Sequence, residues 1–327
     1  MRKKAVSVVV LSYRPDLPKM WMTLASILLQ KNIAFEIVIA DDGSRSNHFE
    51  EIRGFFQRNH FENYTLVEHA ANQGTVKNYL SGLERCRYDL VKPISPGDLL
   101  YGEEVLARWA DTMTQSRAAF SIARAVYYHR EEERYVALRH RAQPMELELY
   151  ESFEENRERI IRNYLINRDW ALGSAVMVDR GTAIRYLQEM AGKIIYSEDT
   201  MFSLMLSRGE KGACYPENGV LYELGTGIST AGNSAWQQKV DRDREAVNEM
   251  VRSENTLPGP LKRDVERIFR GAQRGGIPKK LCNLLTKGRL GFKIREVCLP
   301  QWASQEIPEG FLREVSRVCA EFTEKEG

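Results

Sequence analysis

The strictest limit on what this chain can fold into is a β-branched apolar run that leads straight into two carboxylates and a glycine turn. It reads Ala34-Phe35-Glu36-Ile37-Val38-Ile39-Ala40-Asp41-Asp42-Gly43-Ser44. Valine and isoleucine at this density favour a central strand, and the acids fall at its carboxyl end, followed by a glycine able to turn the chain. In open α/β sheets ligands bind outside the carboxyl ends of the strands, so the acids face a ligand crevice. A second run of the same kind, Val6-Ser7-Val8-Val9-Val10-Leu11-Ser12-Tyr13, ends in a hydroxyl and an aromatic ring. Together the two strand ends offer Ser12, Tyr13, Asp41 and Asp42 to one site, a set that suits a nucleotide base and its ribose.

Strand and helix patterns alternate through the first part of the chain. Strands are expected over 6–11, 35–40, 64–68 and 90–94, with helices over about 18–30, 48–58 and 74–86 between them. This order implies an α/β fold with a mostly parallel sheet flanked by helices. Trp21 and Met22 fall at helical core spacing. Residues 119–127 and 175–179 read as further strands, and 182–190 and 200–207 as helices. The glutamate- and arginine-rich stretch 130–162 reads as a solvated insertion with an exposed helix. Beyond Asn233 strand patterns cease, and helices are broken at Pro258-Gly259-Pro260, Gly275-Gly276 and Gly288. The expected division is a catalytic domain over 1–232 and a helical C-terminal subdomain over 233–327.

Composition narrows the class of function. Apolar residues make up 43% and charged residues 28% of the 327, as in an ordinary globular protein. A net charge of +2 argues against a dedicated nucleic-acid binder. Five scattered cysteines, none spaced as Cys-x-x-Cys, fit a reducing compartment, with neither a disulfide framework nor a zinc site. Arg2-Lys3-Lys4 before an apolar run mimics a signal peptide, but the run is short and leads into Tyr13-Arg14-Pro15-Asp16 rather than a cleavage site. No stretch reaches the roughly 20 apolar residues of a membrane span. The expected location is the cytoplasm, at most peripheral on the inner face of a membrane.

The two strand ends resemble the start of a family 2 glycosyltransferase, whose GT-A fold uses nucleotide-sugar donors. In that family a first strand ends in Ser/Thr-Tyr-Asn and a second in Asp-Asp-Gly-Ser. Here the first reads Ser12-Tyr13-Arg14. The resemblance continues at Asn72-Gln73-Gly74-Thr75-Val76-Lys77-Asn78, with Lys77 for the family's arginine, and at the late acidic pair Glu198-Asp199. It spans roughly residues 5 to 230. It implies an inverting enzyme that moves a sugar from a nucleotide-diphosphate donor, a UDP-sugar by preference, to a hydroxyl of a glycan or lipid-linked glycan.

The resemblance also distributes roles. Tyr13 stacks on the base, Asp42 reads it, and Ser12, Asp41, Asn72, Gly74 and Lys77 complete the donor site. Asp199 is the general base, with Glu198 beside it. Family members hold Mg²⁺ or Mn²⁺ through an acid cluster at the end of the fourth strand. Here that segment is Ile94-Ser95-Pro96-Gly97-Asp98, which keeps only Asp98 as metal ligand. A late histidine segment that touches the diphosphate is replaced by Gly225-Thr226-Gly227-Ile228-Ser229, able to approach phosphate through backbone N–H groups. Trp170 precedes the strand that faces the acceptor, as a sugar-stacking ring or a core residue.

Each motif also has a purely structural reading. Asp41-Asp42-Gly43-Ser44 can be a turn with a helix cap, Pro96-Gly97-Asp98 a β-turn, and Ser197-Glu198-Asp199 an N-cap. The reduced motif at 95–98 leaves open a non-catalytic nucleotide- or glycan-binding relative. A nucleotidyltransferase is disfavoured, because no glycine-rich, basic phosphate loop follows the first strand. Between Leu261 and Arg295 there are eleven Lys/Arg and two acids, Asp264 and Glu266. Leu261, Val265, Ile268 and Phe269 recur there at helical spacing, so this stretch either lies on an anionic membrane or packs its stripe on the catalytic domain.

Overall fold

The computed structural model describes residues 4–131, 134–225, 234–274, 276–286 and 288–323. The chain runs β1 (Ala5–Ser12), α1 (Leu17–Leu28), β2 (Ala34–Asp41), α2 (Phe49–Arg58), β3 (Tyr64–Glu68), α3 (Thr75–Arg85), β4 (Leu90–Ile94) and β5 (Leu99–Leu100). It continues with α4 (Val105–Ser116), β6 (Phe120–Glu131), β7 (Arg134–Ala137), α5 (Phe153–Arg162), β8 (Val176–Asp179), α6 (Arg180–Met190), α7 (Met201–Ser207) and β9 (Gly212–Glu223). Five helices close it: α8 (Ser234–Ser253), α9 (Gly259–Arg274), α10 (Gly276–Leu285), α11 (Arg289–Cys298) and α12 (Glu309–Thr323).

One sheet in the order β3-β2-β1-β4-β8-β6-β9-β5 organises the molecule, with β7 paired to β6. Strands β1 to β4 pair in parallel, as the helices between them require, and β8 joins β4 antiparallel. Period-2 alternation sends Val6, Val8 and Val10 of β1 into one apolar cluster, with α1, α2 and α4, and Val9 into the other, with α3, α6 and α7. Asp16 caps α1 by accepting from the Lys19 N–H at 3.1 Å, and a proline sits in the first turn, where its missing N–H costs nothing. Trp21 stacks on Phe55 with ring centroids 4.9 Å apart, a core residue as its spacing implies.

One expectation about the charged segments is overturned, and for the other the structure shows which alternative holds for its apolar stripe. The 130–162 stretch is not a solvated appendage: Leu147, Leu149, Tyr150, Phe153, Ile160 and Ile161 are buried in the cluster that holds α6 and α7. Glu154, Glu155, Glu158 and Arg159 occupy the outer side of an amphipathic helix, while Glu146 and Arg162 are buried. On α9, Leu261, Val265, Ile268 and Phe269 are buried in that same cluster, so the apolar stripe packs on the protein rather than on lipid. Arg162 of α5 and Asp264 of α9 lock this contact with a 2.7 Å ion pair, both side chains only 10% exposed. Helix α12 packs Phe311, Leu312 and Val315 into the cluster on the other side. The expected boundary at 232/233 lies outside the described residues. No helix among them is long and apolar enough to cross a membrane.

Candidate active site

The register of β1 on β2 pairs Ser12 with Asp41, so both strands end at one edge of the sheet. Asp41 is fully buried and turned inward. It accepts from the Ser12 hydroxyl at 3.1 Å, the Ser44 hydroxyl at 2.8 Å and the Ser44 N–H at 2.7 Å, stitching the two strand ends together. Asp42 does face the cleft. Its carboxylate accepts from the N–H groups of Gln73 (2.7 Å) and Gly74 (2.9 Å), and burial holds its proton affinity above the ordinary aspartate value. Each oxygen keeps a further lone pair for a ligand. The loop that it grips needs glycine: Gly74 has φ +91°, and a Cβ there would lie 2.3 Å from Ile195 Cγ2. Gly43, at φ +72°, would likewise strike the backbone of Ala71.

These contacts bring Ser12, Tyr13, Asp42, Asn72, Asp98, Glu198 and Asp199 into the walls of one cleft of about 680 Å³. Asn78, on the first turns of α3, donates to the Ala40 carbonyl at 2.9 Å and also reaches the wall. Lys77 is exposed and stands outside the cleft walls. Tyr13 is half-buried, with the Arg14 guanidinium 5.1 Å from its ring centre.

Glu198 and Asp199 form a single 3₁₀ turn, Glu198–Thr200, directly ahead of α7. Asp243 of α8 fixes this turn, accepting from the N–H groups of Ile195 (3.0 Å), Tyr196 (2.6 Å) and Ser197 (3.0 Å). The Val76 N–H donates to the Ile195 carbonyl at 3.0 Å, so the two ligand-facing loops hold each other. Burial, then mutual repulsion, pushes Glu198 well above the glutamate range, and burial raises Asp199 while Arg244 opposes the rise. The two groups titrate as a pair, within which the positive Arg244 favours the ionised form of Asp199.

Asp98 lies at the end of β4 in the cleft floor, bonded to the Ser174 hydroxyl and, at 3.1 Å, to the Glu223 N–H. Burial pushes it up to about 7, against the pull of Lys92. Lys92 is buried beneath the cleft, donating to the carbonyls of Pro93 and Ser174 at 2.6 Å each, and burial lowers it to about 7. The Glu223 carboxylate stands against Gly97, paired with Lys19 at 2.7 Å. Among the described residues no group of three or more His, Cys, Asp or Glu gathers as a metal cage. The Asp98 and Glu223 carboxylates are hard oxygen donors, the class of ligand that a divalent ion such as magnesium takes beside phosphate oxygens and water.

Aromatic and basic residues complete the cleft. Trp170 lines the cleft, flanked by Arg168 and Arg244, whose guanidinium carbons lie 5.9 and 5.0 Å from its ring centre. Tyr196 and Trp236 meet edge to face at 4.9 Å on the same wall, with Lys239 4.2 Å from the Trp236 ring. Tyr127, His140 and Tyr222 also line the cleft. The Gly225–Ser229 loop lies, beyond Gly225, outside the described residues.

With this geometry in place, comparisons with known proteins give a consistent answer. The model of glycosyl transferase family 2 matches residues 7–185. No curated protein matches the sequence. Among solved structures, Staphylococcus aureus TarS 1–349 in complex with UDP-GlcNAc aligns with a TM-score of 0.57 at 13% identity, covering 97% of this chain and 89% of that one. The mannosyltransferase PcManGT from Pyrobaculum calidifontis, in complex with GDP-Man and Mn²⁺, aligns with a TM-score of 0.55 at 14% identity, covering 99% and 88%. At such identities the likeness is one of fold, the mostly parallel sheet flanked by helices of the GT-A class. The family match takes in both strand ends, the Asn72–Asn78 segment and Asp98, so the chain belongs to glycosyl transferase family 2 and is a glycosyltransferase.

Proposed function

We propose that the chain transfers a sugar from a UDP-sugar to a hydroxyl of a glycan or lipid-linked glycan, with inversion and by direct displacement. The observation that carries this reading is the convergence in one cleft of the strand-end set (Ser12, Tyr13, Asp42) with the Glu198–Asp199 turn. Tyr13 stacks on the uracil ring, and Asp42, beside the Asn72–Gly74 loop, accepts from the ring N–H. Gly74 and Asn72 shape the donor loop. Asp41 holds Ser12 and Ser44 in register behind them. Lys77 adds positive potential from outside the cleft.

Asp199 accepts the proton of the acceptor hydroxyl as that oxygen attacks the anomeric carbon. Glu198 carries the proton the pair shares, which leaves Asp199 free to act. Such a base contributes about 10²–10⁴ in rate. Asp98, with Glu223 beside it, would hold a Mg²⁺ or Mn²⁺ ion. When bound, such an ion offsets the charge of the leaving diphosphate. Residues 1–232 then form the catalytic domain and 233–327 a helical subdomain that supplies Asp243 and Arg244.

Contact with an anionic membrane surface, first read from 261–295 as a whole, is assigned to α10 and α11. There Leu281, Leu284, Leu285, Leu290, Ile294 and Val297 are exposed close to Lys280 and Lys293. Salt-sensitive co-sedimentation with anionic vesicles supports that assignment, and no binding at low salt ends it. The test of the function itself is hydrolysis of a panel of UDP- and GDP-sugars with Mn²⁺ present. Consumption of a UDP-sugar is the expected result, and a panel left intact, or GDP-sugars alone consumed, overturns the reading.

A further inference from the structure

The end of the cleft beyond Asp199 gathers guanidinium groups. Arg168 sits in a left-handed backbone conformation (φ +63°) just past the Asn163–Asn167 turn, and it is exposed and lines the cleft. Arg244 reaches the same wall from α8, so the two guanidiniums flank the Trp170 ring. Behind them, Arg289 at the start of α11 has one guanidinium nitrogen, Nη1, buried without a hydrogen-bond partner among the described residues. Arg244 pairs with Asp241 at 3.3 Å, but the Asp241 side chain is 57% exposed; Asp241 also draws on Arg168, and Glu296 on Arg289. Burial and mutual repulsion hold both Arg168 and Arg289 below the ordinary arginine value.

Grouping guanidiniums in a partly dehydrated wall is costly unless an anion completes the site. Their planar forks match the oxygens of phosphate or carboxylate, two at a time. Trp170 between them, with Tyr196 and Trp236 on the same wall, adds apolar faces suited to a sugar ring. We propose that this end of the cleft is an oxyanion subsite, in which Arg168 and Arg244 clasp a phosphate or carboxylate carried by the acceptor. The inference rests on reading the neighbouring strand-end site as the donor site. Arg244 then has two tasks, since it also lies close enough to Asp199 to favour its ionised form. An acceptor whose negative group is held there places its free hydroxyl beside the base. The acceptor class that fits is an acidic or phosphate-bearing glycan rather than a neutral sugar.

The test is calorimetric titration of the full chain, first with UDP and then, once saturated, with inorganic phosphate and in parallel with glucuronate. The UDP-saturated protein is expected to bind at least one of the two anions, and the one it prefers names the source of the charge. Arg168→Gln with Arg244→Gln should weaken that binding by at least about tenfold, the scale of a lost charge-assisted fork. Arg244→Lys, which keeps the charge and loses the fork, should fall between. UDP affinity should stay within about twofold in every variant. Two results overturn the inference: neither anion binds the UDP-saturated protein, or the arginine variants lose UDP affinity to the same degree as anion affinity. The second would assign the arginines to the donor diphosphate. Failure of the native chain to bind UDP at all would instead remove the donor-site reading, and it is seen before any anion is added.

Discussion

Asp42 spends both carboxylate oxygens on the N–H groups of Gln73 and Gly74, so one side chain both fixes that loop and faces the cleft. Asp42→Ala should therefore weaken UDP binding through lost base recognition and a loosened loop together. Tyr13→Ala removes a stacking surface alone, at about 1–3 kcal/mol. Calorimetry on both variants checks the pair, and unchanged UDP affinity in both places the nucleotide elsewhere. The acidic pair gives a pH prediction. Asp199 has its folded-state pKa raised, so the base is lost to protonation as pH falls through a value above the ordinary aspartate range. The acid limb of kcat/KM should accordingly lie above about pH 4. Arg244 lowers the Asp199 value, so Arg244→Gln should move that limb to higher pH. An acid limb that stays put in this variant removes Arg244 from the electrostatics of the base.

At the scale of elements, much of the first half was legible because local pattern and tertiary role agree. Strands β3 and β4 fall where the alternation places them, and β2 ends on its two acids because a buried parallel strand must carry its polar groups at the rim. Helices α9, α10 and α11 start at Gly259, Gly276 and Arg289, where the glycine and proline signals place them. Strand β9 was not legible: Pro216, Asn218 and Gly219 break its alternation, and the β6–β9 register shifts at the same place. The burial of Phe153, Ile160 and Ile161 was hidden by the glutamates and arginines around them. Asp243 had no local signal at all, because its partners lie more than forty residues away. It acts as a positioning residue for the Glu198–Asp199 turn. Asp243→Ala should lower kcat by about 10–100-fold while UDP affinity holds, and Asp243→Asn, which keeps one acceptor oxygen, should recover part of the rate. Equal loss of UDP binding and rate in Asp243→Ala would reduce its role to fold maintenance.

At the scale of the whole molecule, burial of carboxylates is a recurring device, and it couples stability to pH. Asp169 lies outside the cleft walls, accepts from the Met145 N–H at 2.7 Å, and is pushed up to about 7 by burial. A carboxyl raised in the folded state contributes stability that is present below its unfolded value near 4 and is lost as pH rises through 7. Asp169→Asn should flatten the fall of stability between pH 4 and 7 by up to about 1.4 kcal/mol per pH unit. Thermal unfolding across that range checks it, and an unaltered slope would mean that Asp169 titrates normally. The fold, then, brings the ends of β1 and β2, Asp98 from the turn after β4, and the Glu198–Asp199 turn held by α8 into one cleft. The most direct measurement is turnover of Asp199→Asn with the accepted UDP-sugar, set beside its affinity for UDP. The account predicts a rate lower by about 10²–10⁴-fold with UDP binding nearly unchanged; full turnover in that variant would contradict it.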